Sequence, residues 1–360
     1  MKGARIAIVG GGVLGLAVGV ELARRGAETT LYDPQARLRS ASGVAAGMLA
    51  PAFEAALDAG SEAHFPLLRA ARDLWPAFAE RLAPRSPPLD RSGALFVAGQ
   101  HDLPALETLR RRMTRFGAAA ELLEAGPARS LHEDLAGDLA GGLFTPDDWR
   151  VDPRRVLPLL AQAFRRHGGK LRRRAIKTKA GGEFVIAGEG GLKCDAVVIA
   201  GGAESALLAA AAPELGLVTP IKGQLLRFEG GPQGGPSLRS RGGYVSPQDG
   251  GAVVGATMEP GLSDRITDAA TLHRLRVEAA RWLPHLANAP AKGAAGVRAA
   301  TPDGLPLLGP STRDGVILAT GARRNGWLLA PLAAAVIAAH LAGDAPDEAA
   351  AAFDPRRFAL

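Results

Sequence analysis

The sequence predicts an α/β protein in which a Rossmann-like dinucleotide-binding domain is interrupted by a smaller domain built on an antiparallel sheet. Three observations support this fold class. A strand–helix–strand unit with a glycine turn occupies residues 5–33. Two apolar, β-branched segments, 195–200 and 316–320, have the composition of buried parallel strands. Between them, residues 220–257 alternate strand-like segments with glycine-rich loops, which is typical of an antiparallel sheet.

The strand–helix–strand unit has the spacing of a dinucleotide site. An apolar run over 6–9 ends at Gly10, and Gly12 and Gly15 complete a G-x-G-x-x-G pattern. The first glycine permits the tight turn, the second lets the backbone approach a pyrophosphate, and the third lets helix and strand pack closely. Asp33 ends the second strand, where its carboxylate can accept a hydrogen bond from a ribose hydroxyl. This acid disfavours a 2′-phosphate but does not separate NAD from FAD.

Hydrophobic periodicity and turn residues predict the remaining elements. We expect strands over 94–98, 220–228 and 252–257, a hairpin over 170–186, and helices over 67–82 (kinked at Pro76), 104–116, 126–131, 153–167, 204–212, 271–283 and 327–341. Asp152 has the side chain of a helix N-cap, and Pro153 suits the first helical position. Gly26 can take the left-handed conformation that ends the first helix. The glycine-rich segment 230–243 is interpreted as a hairpin connection, with a mobile lid as the alternative.

We predict that the domains are discontinuous. The dinucleotide domain takes residues 1–90, 142–218 and 295–345, and the substrate domain takes residues 91–141 and 219–294. This arrangement explains why segments typical of the parallel sheet of a dinucleotide domain occur in three separated places. The segments between them have the pattern of an antiparallel sheet.

Composition narrows the classes of partner. The net charge is +7, but no compact run of lysines and arginines marks a nucleic-acid surface, so we expect no nucleic-acid partner. The single cysteine, Cys194, excludes disulfides within the chain and suits a reducing, cytoplasmic location. The apolar segment 327–341 is too short to span a bilayer, so we expect no membrane span. The seven histidines are scattered, and no metal-ligand spacing occurs.

Several motifs together resemble one enzyme family. They are SGVAAGMLAP at 42–51, DDWRVDPRRVL at 147–157, VVIAGGAES at 197–205, PIKGQ at 220–224, GGYVSPQDGGAVVGATMEPG at 242–261, GVRAATPDGLPLLG at 296–309 and ATGARRNGWLLAP at 319–331. With the glycine turn, they resemble the D-amino-acid oxidase superfamily of FAD enzymes. The resemblance is strongest to its glycine oxidase branch, which is associated with thiamine biosynthesis.

The resemblance implies a D-amino-acid oxidase or glutathione-reductase-like fold and FAD as the cofactor. It places cofactor contacts at Gly10, Gly12, Val13, Gly15, Asp33, Ser42, Ala46, Gly47, Met48, Gly201, Gly321, Arg324, Asn325 and Gly326. Some relatives bond flavin to a histidine where this chain has Val44, and sarcosine oxidases use a cysteine near the C-terminus that this chain lacks. Both differences predict non-covalent FAD.

The resemblance also implies which residues orient the substrate. Tyr244, Arg298 and Arg324 match the substrate residues of the family, and a planar guanidinium can pair bidentately with a carboxylate. Met258 stands about where sarcosine oxidases place an oxygen-activating lysine, which argues against that branch. Gly242, Ala322 and Arg323 depart from glycine oxidase relatives and predict a wider or differently charged pocket.

The implied reaction is oxidative deamination of glycine or a small D-amino acid or amine. Hydride passes from the substrate Cα to flavin N5, and the products are a 2-oxo acid, ammonia and hydrogen peroxide. No general base is needed. Molecular oxygen or another electron acceptor takes the electrons, and a homo-oligomer is suggested by analogy. The alternatives are a D-amino acid dehydrogenase that reduces a quinone or carrier, a flavin domain acting on modified tRNA, and a nucleotide-binding protein without turnover.

Overall fold

The computed structural model of the chain describes residues 1–35, 37–58, 61–132, 134–136, 138–231, 234–345 and 348–358. Numbered in chain order, its strands are β1 (Arg5–Val9), β2 (Glu28–Tyr32), β3 (Met48–Leu49), β4 (Ala94–Ala98), β5 (Glu121–Glu124), β6 (Gly141–Thr145), β7 (Trp149–Arg150), β8 (Lys170–Arg172), β9 (Ile176–Thr178), β10 (Phe184–Ile186), β11 (Gly190–Gly191), β12 (Ala196–Ile199), β13 (Thr219–Glu229), β14 (Ser237–Ser240), β15 (Gly243–Gln248), β16 (Gly251–Gly255), β17 (Glu259–Pro260), β18 (Ala291–Ala300), β19 (Leu307–Pro310) and β20 (Val316–Thr320).

The helices connect and cover these strands. The α-helices are α1 (Val13–Arg24), α2 (Ala41–Val44), α3 (Pro51–Leu57), α4 (Phe65–Asp73), α5 (Trp75–Leu82), α6 (Leu103–Arg115), α7 (Ala125–Leu131), α8 (Pro153–Arg166), α9 (Ala269–Trp282) and α10 (Gly326–Ala342). Short 3₁₀ helices occur at Arg37–Arg39, Glu62–His64, Gln100–Asp102, Gly202–Leu208, Pro213–Leu217, Pro284–Ala287, Glu348–Phe353 and Pro355–Phe358.

A six-stranded sheet confirms the predicted Rossmann-like core. Its strand order is β19-β20-β12-β1-β2-β8, and every pair is parallel except β19 with β20. The three separated nucleotide-type segments therefore meet side by side. On one face, α1, α8 and α10 bury a large apolar cluster that includes Ile8, Leu16, Phe164 and Leu328. Full burial of each such side chain contributes about 1.5–3 kcal/mol.

A nine-stranded sheet forms the second layer and confirms the predicted antiparallel region. Its order is β17-β13-β16-β15-β14-β4-β6-β5, and β18 also pairs with β13 over ten residue pairs. All its pairs are antiparallel except β4 with β14. The predicted boundaries at 142 and 295 fall inside β6 and β18, both strands of this sheet, while the division into domains stays a prediction.

Several local predictions need correction. The helix expected over 67–82 is two helices, α4 and α5, with the break at Leu74, because Pro76 takes an early position in the second helix. The helix expected over 204–212 is the 3₁₀ helix Gly202–Leu208. The segment expected to form one hairpin is divided, because β8 joins the parallel sheet while β9 and β10 pair antiparallel.

Other local predictions are confirmed. Helix α8 starts with Pro153 at its first position, and the Asp152 carboxylate accepts a hydrogen bond from the Arg154 backbone N–H at 2.7 Å. Gly26 takes the left-handed conformation at the end of α1, with φ of +88°.

The segment 230–243, predicted as a hairpin connection with a lid as the alternative, needs correction, because Ser237–Ser240 form β14, a mostly buried strand that pairs with β15 and β4. Residues 232–233 of this segment lie outside the described residues. No helix within the described ranges is long and apolar enough to cross a membrane.

Candidate active site

A cavity of about 1110 Å³ lies between the two large sheets. One wall is formed by the loops that follow β1, β2, β12 and β20, at the carboxyl edge of the parallel sheet where ligands of such folds bind. The opposite wall comes from β13, β15, β18 and the residues around them. The cavity therefore brings together the ends of strands that are far apart in the sequence.

At both ends of the glycine turn after β1, the neighbouring atoms leave room for no residue other than glycine. Gly10 has φ of +107°, and a Cβ there would lie 2.8 Å from the Gly201 Cα. A Cβ on Gly15 would overlap the Gly10 carbonyl oxygen. Gly12 differs, because it lines the cavity and a Cβ there would meet only the Ser42 Oγ, at 3.2 Å. The turn thus leaves an open cradle at the N-terminus of α1.

The helix that follows this turn is positioned for an anionic ligand. Its first residue, Val13, donates its backbone N–H to the Ser42 Oγ at 3.0 Å, which ties the turn to the segment before α2. Both residues line the cavity. The N-terminus of a helix carries a partial positive charge and N–H groups without partners in the helix, which suit a pyrophosphate.

Asp33 lies at the end of β2 and lines the same end of the cavity. Its carboxylate oxygens accept hydrogen bonds from the backbone N–H groups of Gly11 at 2.6 Å and Gln35 at 2.7 Å. These bonds fix the carboxylate beside the glycine turn, and each oxygen keeps capacity for a further hydrogen bond from a ribose hydroxyl. The residues at this end therefore fit the adenosine half of a dinucleotide.

A polar clamp crosses this end of the cavity, and the sequence did not predict it. Arg265 donates to the Gln35 Oε1 at 2.6 Å and to the Glu204 Oε1 at 3.0 Å. Gln35 in turn donates to the same Glu204 oxygen at 2.7 Å. All three side chains line the cavity. The clamp joins the loops after β2 and β12 to the segment that precedes α9.

The start of α10 faces the other end of the cavity. Gly321 has φ of +78°, and a Cβ there would lie 2.8 Å from the Thr301 Cγ2. Arg323 also takes a left-handed conformation, with φ of +47°, and its backbone N–H donates to the Ala299 carbonyl at 2.7 Å. Asn325 occupies the N-cap position, and α10 begins at Gly326. A second helix N-terminus therefore points at the space between the sheets.

The segment around Ala46–Met48 forms the base of the cavity. Gly47 has φ of +73°, and a Cβ there would lie 2.8 Å from the Pro153 Cδ. Arg227 donates to the carbonyls of Gly43, Val44 and Ala45 at 3.0, 2.7 and 3.1 Å, and Gln248 donates to the Ala46 carbonyl at 2.9 Å. These bonds fix the path of a segment that the sequence resemblance places beside the flavin ring.

The structure brings the predicted substrate residues to one end of the cavity. Tyr244, Met258, Arg298 and Arg324 all line it, and so do the predicted cofactor residues Gly10, Gly12, Val13, Asp33, Ser42, Ala46, Gly47, Met48, Gly201, Gly321, Asn325 and Gly326. Gly15 is the exception, because it is buried against the Gly10 carbonyl. Among described residues no carboxylate pairs with Arg298, and one of its Nη atoms donates to the Thr257 carbonyl at 3.2 Å.

Burial and mutual repulsion act on the charges at this end. Burial lowers the pKa of Arg298, the hydroxyl of Tyr244 opposes this shift, and repulsion from Arg324 and Arg323 adds to it. Burial raises the pKa of Tyr244, while Arg298 acts in the opposite direction. Tyr244 is therefore a neutral hydrogen-bond donor at ordinary pH, beside an arginine that gains from an anionic partner.

Two further charged residues at this end, Glu54 and Arg239, were not predicted. One Glu54 oxygen lies 3.3 Å from an Arg239 Nη, and the other lies 2.7 Å from an Arg324 Nη. Asp58, the C-cap residue of α3, pairs with Arg323, and one of its carboxylate oxygens lies 3.3 Å from an Arg324 Nη. The buried Nε atoms of Arg239 and Arg324 have no hydrogen-bond partner among the described residues. A glutamate inside the apolar segment of α3 was the available sequence signal.

Asp148 anchors the helix that carries Glu54. Its carboxylate is buried and accepts hydrogen bonds from the backbone N–H groups of Ala52 at 2.8 Å and Phe53 at 3.1 Å, in the first turn of α3. Burial raises the pKa of Asp148 to about 7, although the nearby Arg239 and the two N–H groups oppose this shift.

Within the described ranges no cluster of three potential metal ligands occurs.

Comparisons with known proteins agree with this geometry. A family model described as FAD dependent oxidoreductase (DAO) matches residues 5–340. Glycine oxidase from Geobacillus kaustophilus is 32% identical over 99% of this chain and 96% of its own length. The crystal structure of glycine oxidase from Geobacillus kaustophilus has a TM-score of 0.86 at 31% identity, and the match covers 98% of this chain and 99% of that chain.

A longer relative broadens the comparison. The tRNA 5-methylaminomethyl-2-thiouridine biosynthesis bifunctional protein of Maricaulis maris is 32% identical over 98% of this chain. The match covers 55% of that protein, so this chain spans about half of its length. Sequence similarity over nearly the whole of this chain is therefore shared with proteins whose names describe different activities.

Proposed function

Because the chain belongs to the DAO family of FAD-dependent oxidoreductases, we propose that it catalyses the oxidative deamination of glycine or of another small D-amino acid or amine. The observation that carries this proposal is the position of Arg298. Its guanidinium lines the cavity, is half-buried and has no ion-pair partner in the described part of the chain. An arginine in this position gains from an anion, and an α-carboxylate matches its planar donor pair.

We propose that FAD is held without a covalent bond by the residues that the sequence resemblance named. Gly10, Gly12, Val13 and Gly15 shape the pyrophosphate cradle, and Asp33 accepts from the ribose. Ala46, Gly47 and Met48 border the ring system, while Ser42 and Gly201 lie beside the glycine turn. Gly321, Asn325 and Gly326 present the N-terminus of α10 to the pyrimidine end, where reduced flavin accumulates negative charge.

The residues of the chain act by binding and orientation. Arg298 pairs with the substrate carboxylate, and the Tyr244 hydroxyl donates a hydrogen bond to the same group. Arg324 is held by Glu54 and Asp58 and adds positive charge beside it. Bound FAD supplies the hydride acceptor. Fixing the carboxylate restricts the position of the Cα–H bond, and such restriction is a major source of rate acceleration. Met258 lines the cavity beside these groups.

The proposed products are a 2-oxo acid and ammonia, formed when the imine hydrolyses, and hydrogen peroxide when oxygen accepts the electrons. A dehydrogenase that reduces a quinone or carrier would use the same amine site. It differs from an oxidase only in the molecule that accepts the electrons from reduced flavin. Homo-oligomeric assembly and a cytoplasmic location also stay predictions.

Anaerobic reduction of the bound flavin tests the proposal. The purified protein is expected to show the visible spectrum of oxidised flavin, and glycine, sarcosine and a panel of D-amino acids are then added without oxygen. Bleaching by glycine or a small D-amino acid supports amine oxidation, and recovery of the spectrum on admission of air identifies an oxidase. A flavin that no small amine reduces contradicts the proposal and favours modified tRNA, whose binding would weaken steeply with added salt.

A further inference from the structure

We propose that Glu54 makes the site selective for substrates with a single carboxylate, by pairing with the arginines that would otherwise bind a second one. The inference rests on the proposed amino acid oxidation and names the substrate class more closely. Glu54 is 8% exposed, lines the cavity and lies on α3. It faces the substrate end and is not part of the dinucleotide cradle.

The contacts of Glu54 resemble those that a substrate carboxylate would make. Its two oxygens are divided between two arginines that both line the cavity, Arg239 at 3.3 Å and Arg324 at 2.7 Å. The contact with Arg239 is a hydrogen bond, whereas the contact with Arg324 is an ion pair in which the Glu54 Oε2 has no hydrogen-bond partner among the described residues. Each of these arginines keeps a buried Nε without a hydrogen-bond partner in the described part of the chain. Without the Glu54 charge, both guanidiniums would present donors to the cavity and would favour an anion.

The balance of charges at the substrate end points the same way. Four buried or half-buried arginines line this end of the cavity, Arg239, Arg298, Arg323 and Arg324. Glu54 and Asp58 pair with three of them. Arg298 is left without a carboxylate partner in the described part of the chain, and it suits the single α-carboxylate of the substrate. A second substrate carboxylate would lack a counter-charge and would be repelled by Glu54.

The variant Glu54→Gln tests this inference because it keeps the size of the side chain and removes its charge. The assay is the anaerobic rate of flavin reduction at several concentrations of glycine and of D-aspartate, which gives for each a limiting reduction rate and an apparent Kd. We expect the ratio of rate to Kd for D-aspartate, divided by that for glycine, to rise at least about tenfold, since a second carboxylate gains charge-assisted hydrogen bonds. Most of the change should appear in the Kd for D-aspartate.

The matched control is Glu229→Gln, which makes the same replacement and changes the net charge by the same amount. Glu229 forms an exposed ion pair with Lys292 at 2.8 Å, and neither residue is among those that line the cavity. We expect the specificity ratio of this variant to stay within about twofold of the natural protein, because no new donor faces the second carboxylate and exposed charges at a distance are screened by salt. An equal rise in both variants would assign the effect to net charge and overturn the role of Glu54.

Binding of non-oxidisable acids gives a readout that does not depend on turnover. The flavin absorption of the oxidised holoenzyme is titrated with acetate and with succinate. We expect Glu54→Gln to strengthen succinate binding relative to acetate by about tenfold. Glu54→Met, which also removes the charge in a similar volume, provides a second comparison if the glutamine variant does not retain FAD.

The outcomes separate this inference from the proposed function. If the natural protein is reduced by no amino acid, the proposed function fails, and the titration with acetate and succinate still tests Glu54. Suppose instead that glycine reduces the flavin. If neither Glu54→Gln nor Glu54→Met then changes the specificity for D-aspartate over glycine or the affinity for succinate, the inference alone is wrong.

Discussion

Replacing Gly12 and Gly15 separately by alanine should distinguish cofactor binding from folding at one turn. At Gly12 the backbone has φ of −71° and ψ of −175°, which alanine adopts without strain. The added methyl group would meet only the Ser42 Oγ, at 3.2 Å. We therefore expect the free energy of unfolding of the Gly12→Ala apo protein to stay within about 1 kcal/mol of the natural apo protein, because only the Ser42 side-chain oxygen must shift, by a few tenths of an ångström.

The cofactor affinity of Gly12→Ala should fall steeply. The methyl group would project into the cavity at the position where the backbone must approach a pyrophosphate. Loss of one charge-assisted hydrogen bond costs about 1.5–3 kcal/mol, which corresponds to roughly a 10- to 150-fold weaker affinity for FAD. The affinity is measured by the quenching of flavin fluorescence when FAD is added to apo protein.

Gly15→Ala should show the opposite pattern, because its methyl group would overlap the Gly10 carbonyl oxygen inside the fold. Overpacking of this kind costs about 1–3 kcal/mol or more, so the apo protein itself should lose stability in urea. Circular dichroism of the two apo variants gives the comparison. An unchanged FAD affinity in Gly12→Ala, or an unchanged free energy of unfolding in Gly15→Ala, would refute this account of the turn.

Three further predictions concern single side chains. Arg298→Lys replaces a planar donor pair by a point charge, so kcat/KM for the best amino acid should fall by about 10- to 150-fold, chiefly through KM; a dominant effect on kcat would contradict carboxylate binding. Arg265→Ala opens the clamp with Gln35 and Glu204, so the bound flavin should dissociate several-fold faster by fluorescence. Arg174→Ala, which removes an exposed ion pair with Glu189, is its control and should not change that rate. For Asp148, the folded pKa of about 7 lies above the unfolded value of 3.8, so the folded protein retains a proton that the unfolded chain releases. Its contribution to the free energy of unfolding is thus lost progressively as the pH rises from about 4 to 7. Asp148→Asn should reduce this loss in urea titrations, and an identical pH dependence would refute the assignment.

The dinucleotide end of the site was predictable because its signals are local. Gly10, Gly12 and Gly15 lie within a turn of six residues, and Asp33 follows at the end of the next strand. The fold itself requires glycine at positions 10 and 15, and the close approach of a ligand requires it at position 12, so the spacing carries the information. Strand composition similarly predicted the central strands of the parallel sheet.

The charge network at the substrate end was not predictable in this way. Glu54 pairs with Arg239 across 185 positions in the sequence, and Asp148 reaches the first turn of α3 across 96. Such pairs depend on how two sheets approach each other, which no local pattern records. The Glu204 segment illustrates a smaller failure, because helical periodicity does not distinguish a 3₁₀ helix from an α-helix over a single short run.

The central position of β1 has a consequence for how the chain is made. The ribosome releases Arg5–Val9 shortly before its partner Glu28–Tyr32. The other edge of β1 pairs with Ala196–Ile199, which emerges roughly 10–40 s later at ordinary synthesis rates. Until then this apolar strand keeps an open edge that can pair wrongly. The cofactor cavity closes later still, since α10 is synthesised after all of these strands.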